Sequence, residues 1–156
     1  MSIQYDVIIV GAGAAGMMSA IEAGKRGRKV LLVDHCKQIG EKIRISGGGR
    51  CNVTNINANP NKFLSQNPKF VRSALSQYTQ NDFINLMNKY EIKFHEKKLG
   101  QLFCDHSAQQ IVEMLLKECE LANVTILKEF IIKNVDKDND QYLVSASYTH
   151  RRAHET

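Results

Sequence analysis

Apolar residues fall in short bursts along this 156-residue chain, and the period of each burst predicts an element. YDVIIV at 5–10 is an unbroken β-rich run, the pattern of a strand buried on both faces. MMSAIEAGKRG at 17–27 predicts a helix with small and apolar residues turned inward and Gly27 as its stop. KVLLVD at 29–34 predicts a second buried strand, this one ending in an acid. Residues 35–60 then lose all periodicity; such long irregular backbone is unusual unless it has a task. Helices are expected at 69–77 and 80–90, the second with Asn81 as N-cap and Phe83, Leu86, Met87 and Tyr90 on one face. Residues 92–98 and 101–103 predict a hairpin around Gly100. Ser107 with Gln110 reads as a capping box opening a helix over 108–122 that buries Ile111, Leu115, Cys119 and Ala122. Strands follow at 123–127, 129–135 and 141–147, the last two joined through Asp138-Asn139-Asp140. The tail 148–156 has no aliphatic residue larger than alanine and is expected to fray.

Between the first strand and the first helix lies GAGAAG, so Gly11, Gly13 and Gly16 stand where a chain turns from sheet to helix. Each glycine has a physical reason. Gly11 permits the tight turn, Gly13 lets backbone approach a pyrophosphate, and Gly16 lets the helix pack close. The helix start, with Ala14 and Ala15, offers free amides and a partial positive charge to phosphate. Asp34 ends the second strand at about the 20-residue spacing expected of a ribose-binding acid. A carboxylate there repels a 2′-phosphate, which disfavours NADP and leaves FAD and NAD open. The fold class expected is α/β: a Rossmann-like core with a parallel, three-layer sheet, a helical segment at 61–90 and a β-meander near the end.

Composition narrows the class without choosing among functions. The chain is 43% hydrophobic and 24% charged, and no apolar run approaches a membrane span. The N-terminus lacks the basic and apolar regions of a signal peptide, so a cytoplasmic location without a membrane partner is expected. Four cysteines without a CxxC pair exclude zinc-ribbon and thioredoxin readings and suit free thiols. The net charge of +5 is read as scattered over a solvated surface, and a nucleic-acid partner is not expected. His95, Glu96, Cys104, Asp105 and His106 offer ligand types, but their spacing fits no standard zinc pattern, and no metal is expected.

SGGGRCN at 46–52 sits inside the irregular stretch. Glycines 47–49 would let backbone amides reach phosphate, ribityl or ring atoms without a Cβ in the way. Lys42, Arg44 and Arg50 add positive charge, suited to a pyrophosphate or to a flavin that becomes more negative on reduction. A ligand extending past the first helix would lie beneath this loop, which favours FAD over NAD.

The segments DVIIVGAGAAGMMSA, LLVDHCKQIGEKIRISGGGRCNVTN and HEKKLGQLFCDHSAQQIVEML together resemble a bacterial family of NAD(P)/FAD-dependent oxidoreductases related to bile-acid reductase-like flavoproteins. The resemblance runs from about residue 4 to residue 145. It implies FAD held through Gly11, Gly13, Ala14, Ala15, Gly16, Asp34, His35, Lys42, Ser46, Gly47, Gly48, Gly49, Arg50, Cys51 and Asn52. It also implies that a later strand, near Phe130 to Ile132, lends backbone groups to the adenine. Hydride would pass from NAD(P)H to FAD and on to a small-molecule substrate that the resemblance does not identify. Family members continue for several hundred residues. The expectation is therefore an N-terminal portion, residues 1–147 as FAD-binding domain and 148–156 as tail, with activity lost or impaired. Two other readings stay open: an NAD-dependent dehydrogenase, and a non-enzymatic remnant or RNA-binding module.

Overall fold

The apolar bursts near the start become β1 (Val7–Val10) and β2 (Val30–Val33), joined by α1 (Ala14–Lys25). There follow α2 (Glu41–Ile45), a 3₁₀ turn at Ser46–Gly49, β3 (Asn52–Asn55) and a second 3₁₀ turn at Pro60–Lys62. Then come α3 (Phe70–Gln77), α4 (Gln80–Lys89), β4 (Phe94–Glu96), β5 (Gln101–Cys104) and α5 (Gln109–Leu121). The order ends with β6 (Thr125–Leu127), β7 (Phe130–Asp138) and β8 (Gln141–Tyr148). This computed structural model describes residues 3–148. They divide into two units, residues 3–41 with 115–148, and residues 42–114.

The first unit is a Rossmann-like α/β structure. β1 and β2 run parallel in the register Val7↔Val30 to Val10↔Val33, and β6 pairs in parallel along the other side of β2. β2 is thus central and all four of its residues are buried. β1 lies at the edge of the described sheet and is only half-buried, with Val10 68% exposed, so the expected burial on both faces holds for β2 and not for β1. Helix α1 packs on both strands through Met17, Ala20 and Ile21, spaced i, i+3, i+4 along one face. A Cβ at Gly24 would strike the Ala122 carbonyl, so a glycine here lets the residue after α5 pass close to α1. The one buried charged side chain among the described residues, Glu118, meets Lys25 Nζ at 3.1 Å.

The second unit is built on an antiparallel sheet of order β3-β5-β4, with Met87, Ile92, Leu102, Phe103 and Cys104 in its core. The hairpin expected around Gly100 is β4–β5.

Several expectations need correction. Helix α1 begins at Ala14, inside the glycine motif, because Gly13 already supplies the cap. The stretch 35–60 is not irregular throughout, since α2 and β3 lie within it. β3 has only one apolar residue, Val53, and is held by pairing to β5 far along the chain. The N-cap of α4 is Thr79 in a capping box with Asp82, not Asn81. The Ser107–Gln110 box does not close: Ser107 Oγ accepts the Gln109 amide at 3.1 Å, and Gln110 Oε1 is buried without a partner. The terminal strands make no meander, because β6 joins the parallel sheet while β7 and β8 form a separate hairpin. Tyr148 closes β8 instead of opening a frayed tail, and the rest of that expected tail lies outside the described residues. Among the described residues no helix is long and apolar enough to cross a membrane.

Candidate functional site

A tight crook joins β1 to α1. Gly11 adopts φ +99°, a left-handed conformation that side chains disfavour, and donates its amide to the Val33 carbonyl at 2.8 Å. Ala12 is buried, and its carbonyl accepts the Gly40 amide at 3.2 Å. Gly13 is extended, caps α1 without any side-chain hydrogen bond, and accepts the Met17 amide at 2.9 Å. Gly13, Ala14 and Ala15 are exposed, and the first-turn amides of a helix have no intrahelical acceptor. A Cβ at Gly13 would meet nothing within 4 Å, whereas one at Gly16 would collide with the Gly11 carbonyl. Gly16 therefore serves the turn itself more than the helix–sheet contact. Like one at Gly13, a Cβ at Gly11 would meet nothing within 4 Å, so no side chain fills the crook at these two glycines.

Asp34 stands beside it. Its side chain is 11% exposed, with Oδ2 accepting the Ala12 amide at 2.6 Å and Oδ1 accepting the Cys36 amide at 2.8 Å. Burial pushes its pKa up, but the Cys36 and Ala12 amides outweigh that and hold the carboxyl below its ordinary value. It is an anion at neutral pH, and each oxygen keeps lone-pair capacity for a further donor such as a sugar hydroxyl. His35 places Nδ1 3.4 Å from Asp34 Oδ1 and is largely exposed. The Asp34 amide donates to Leu127 and its carbonyl accepts from Phe130, both at 2.9 Å, so the end of β6 and the start of β7 flank it. Ile132 lies two residues further along β7, in register with Ala146. The structure thus gathers Gly11, Gly13, Ala14, Ala15, Gly16, Asp34 and His35. The Ala12 and Cys36 amides, which fix the acid, carry no side-chain signal that a sequence could show. Asp34, His35 and Cys36 also form a group of metal-ligating types. The acid already accepts two amides, and the Cys36 thiol is pushed up to about 11, first by burial and then by Glu41 and Asp34.

The glycine loop belongs to the second unit. Gly47, Gly48 and Gly49 have φ of +59°, +67° and +85°, three consecutive left-handed residues that only glycine adopts without strain. Cys51 N donates to Ser46 O at 2.9 Å and Asn52 N to Ser46 Oγ at 3.2 Å. Gly49 O accepts from Ala108 at 2.7 Å and Arg50 O from Cys104 at 2.9 Å. A loop pinned at four points is a fixed shape, not a tether. Lys42, Gly48, Arg50 and Asn52 are exposed. Cys51 is buried with φ +53°, and burial raises its thiol pKa although Ser46 works against this. Cys104, also buried, is pushed up to about 11, first by burial and next by Cys51 and Asp105. Neither is a thiolate at neutral pH, which argues against a nucleophilic role for Cys51. His95 Nδ1 meets Asp105 Oδ1 at 2.7 Å across the hairpin, and Glu96 accepts the Gly100 amide at 2.8 Å, so these ligand types serve the hairpin itself.

A parallel β-α-β unit with a glycine crook, an open helix start and an acid at the end of the second strand defines a Rossmann-like dinucleotide-binding fold. The chain belongs to the HI0933-like protein Rossmann domain family, which it matches over residues 5–156. It is 57% identical over 135 residues to the ribosomal RNA dihydrouridine synthase of Escherichia coli, covering 86% of this chain and 34% of that protein. It is 27% identical over 121 residues to the 3-dehydro-bile acid delta(4,6)-reductase of Clostridium scindens, covering 76% and 29%. Its fold superposes on a 3-ketosteroid-delta4-(5alpha)-dehydrogenase from Rhodococcus jostii with TM-score 0.66 at 12% identity, covering 94% and 42%. The chain spans about a third of the length of the relatives it matches.

Proposed function

We propose that this chain is the dinucleotide-binding portion of an FAD-dependent reductase that saturates a uracil in ribosomal RNA. The observation that carries the cofactor is the crook: exposed amides at the start of α1, open space at Gly13, and Asp34 held as an anion at the Ala12 amide. These fit a diphosphate and its neighbouring ribose. Bound FAD would supply the two-electron chemistry, with NAD(P)H as the proposed donor. The activity of the Escherichia coli relative, ribosomal RNA dihydrouridine synthase, and its 57% identity to this chain support the substrate class. Making dihydrouridine adds a hydride and a proton across the uracil C5=C6 bond, which is a task for a reduced flavin. His35, Lys42, Ile132 and residues 46–52 are proposed as further cofactor contacts on the strength of the sequence resemblance.

The test uses the full-length protein. It should purify yellow and release FAD on denaturation, and NADH or NADPH should bleach it under anaerobic conditions. Ribosomal RNA from cells lacking the protein should lose dihydrouridine, with recovery on return of the wild type but not of Asp34→Ala. A colourless protein that rejects FAD, or unchanged dihydrouridine, overturns the proposal.

A further inference from the structure

Charge is spread along this chain far less evenly than its total of +5 suggests. Residues 42–81 hold six of its 21 Lys and Arg residues and none of its 16 Asp and Glu. That stretch outweighs the whole net charge, so the remainder is close to neutral. A surface built only for solubility mixes signs. An acid-free stretch this long makes a field of one sign, which draws a polyanion.

Five of the six are exposed, and three of these, Lys62, Lys69 and Arg72, lie on or beside the Pro60–Lys62 turn and α3, two elements in contact within the second unit. None of the three has a carboxylate partner among the described residues. Aromatic rings alternate with them. Phe63 and Phe70 directly follow Lys62 and Lys69, and are 43% and 78% exposed. Cations interleaved with exposed rings are the means by which proteins hold single-stranded nucleic acid: phosphates on the cations, bases on the rings.

Beside Lys62 and Phe63 opens a cavity of about 660 Å³, lined also by Asn55, Asn57, Asn59 and Leu99. Two of these carboxamides are committed to shaping it. Asn55 donates to Leu99 O at 2.9 Å and accepts from the Asn57 amide at 2.8 Å. Asn59 donates to Asn57 O at 3.0 Å and accepts from the Asn61 amide at 3.1 Å. The Asn57 carboxamide has no hydrogen-bond partner among the described residues. Gly100 stands at φ +81°, a conformation that favours glycine, and a Cβ there would press on the carboxamides of both Asn55 and Asn57.

We propose that this cavity and the adjoining basic face bind single-stranded RNA, one unstacked base lying on Phe63 with its edge at Asn57 and the flanking phosphates on Lys62, Lys69 and Arg72. An acidic protein would use the cations but leave the carboxamide-lined cavity idle. The proposal deepens the reading above, on which its choice of RNA as substrate class rests, and reverses the composition-level expectation of no nucleic-acid partner.

The test measures anisotropy of a labelled, uridine-containing single strand of about 12 nucleotides on the full-length protein, with flavin absorption recorded on the same samples. The triple variant Lys62→Glu, Lys69→Glu, Arg72→Glu should bind at least 10-fold more weakly and lower the log–log salt slope by about 2. Phe63→Ala should weaken binding by roughly 5-fold or more. Lys128→Glu, Lys133→Glu, Lys137→Glu reverses as many charges on other exposed lysines and should change affinity less than 3-fold. Equal losses in both triple variants, wild-type binding by the first, or tight binding by Phe63→Ala overturns the site. So does protection of Phe63 by another protein segment with RNA binding unchanged. Failure to hold FAD in the wild type sinks the flavoenzyme reading instead and is read separately in the absorption.

Discussion

Gly13 and Gly16 are three residues apart and do opposite work, which single substitutions should separate. A methyl at Gly13 has open space and an allowed backbone, since φ is −81°. Gly13→Ala should therefore keep stability within about 1 kcal/mol, yet, on the proposed function, weaken FAD binding at least 10-fold by placing a methyl where the diphosphate would approach. A methyl at Gly16 meets the Gly11 carbonyl. Gly16→Ala should destabilise the apo protein by about 2 kcal/mol or more, visible in urea unfolding before any cofactor is added. Asp34 makes a second residue-scale case. In Asp34→Asn one carboxylate oxygen becomes an NH₂ that faces the Ala12 or the Cys36 amide donor to donor, at an expected cost of about 1–3 kcal/mol. Its folded pKa lies below the ordinary 3.8, so the stability it contributes is present above that value and is lost as pH falls through the folded pKa. Unfolding midpoints between pH 5 and pH 2 should drop more steeply in the wild type than in Asp34→Asn; equal slopes would remove the carboxylate from this role.

At the scale of elements, the close pass of α1 by Ala122 carries its own prediction. Alanine normally improves a helix interior over glycine by about 1 kcal/mol. Gly24→Ala should instead destabilise by about 1–3 kcal/mol, because its methyl would meet the Ala122 carbonyl and the helix must shift. Urea denaturation decides the sign. Elements whose signal is local were legible in the sequence. β1, α1, β2 and Asp34 follow from two apolar runs and a glycine motif, and α5 from its 3.6-residue period. β3 was not legible, because Asn52–Asn55 has one apolar residue and exists by pairing to β5 some fifty residues later. β6 looked like one strand of a meander, because nothing local tells a strand to pair in parallel with β2 rather than with its sequence neighbour. The candidate site divided in the same way. The glycines and the acid were visible, while the Ala12 and Cys36 amides and the left-handed run at 47–49 are backbone facts.

Across the whole molecule, two thiols that no chemistry claims report on the two units. Cys104 belongs to the second unit and Cys119 to the first. Both are fully buried, and burial pushes each thiol from 9.0 to about 11, with Cys51 and Asp105 adding to it at Cys104 and Glu118 at Cys119. A raised folded pKa means that the folded chain holds its proton where the unfolded chain has released it. The stability linked to each thiol is therefore intact below pH 9 and is lost as pH rises through about 11. The loss should approach about 2–3 kcal/mol per thiol. Cys119→Ala removes its own share of this dependence from the first unit, and Cys104→Ala its share from the second, while Cys36 and Cys51, whose thiols are also raised, keep theirs. Each variant carries a cavity cost that does not change with pH, so the informative quantity is the difference between unfolding free energies at pH 8 and pH 10.5. That difference should shrink in each variant, and if the units unfold separately each substitution should flatten only one of two transitions. A wild-type difference that survives both substitutions unchanged would place the alkaline loss elsewhere, and these two thiols would then be ordinary core.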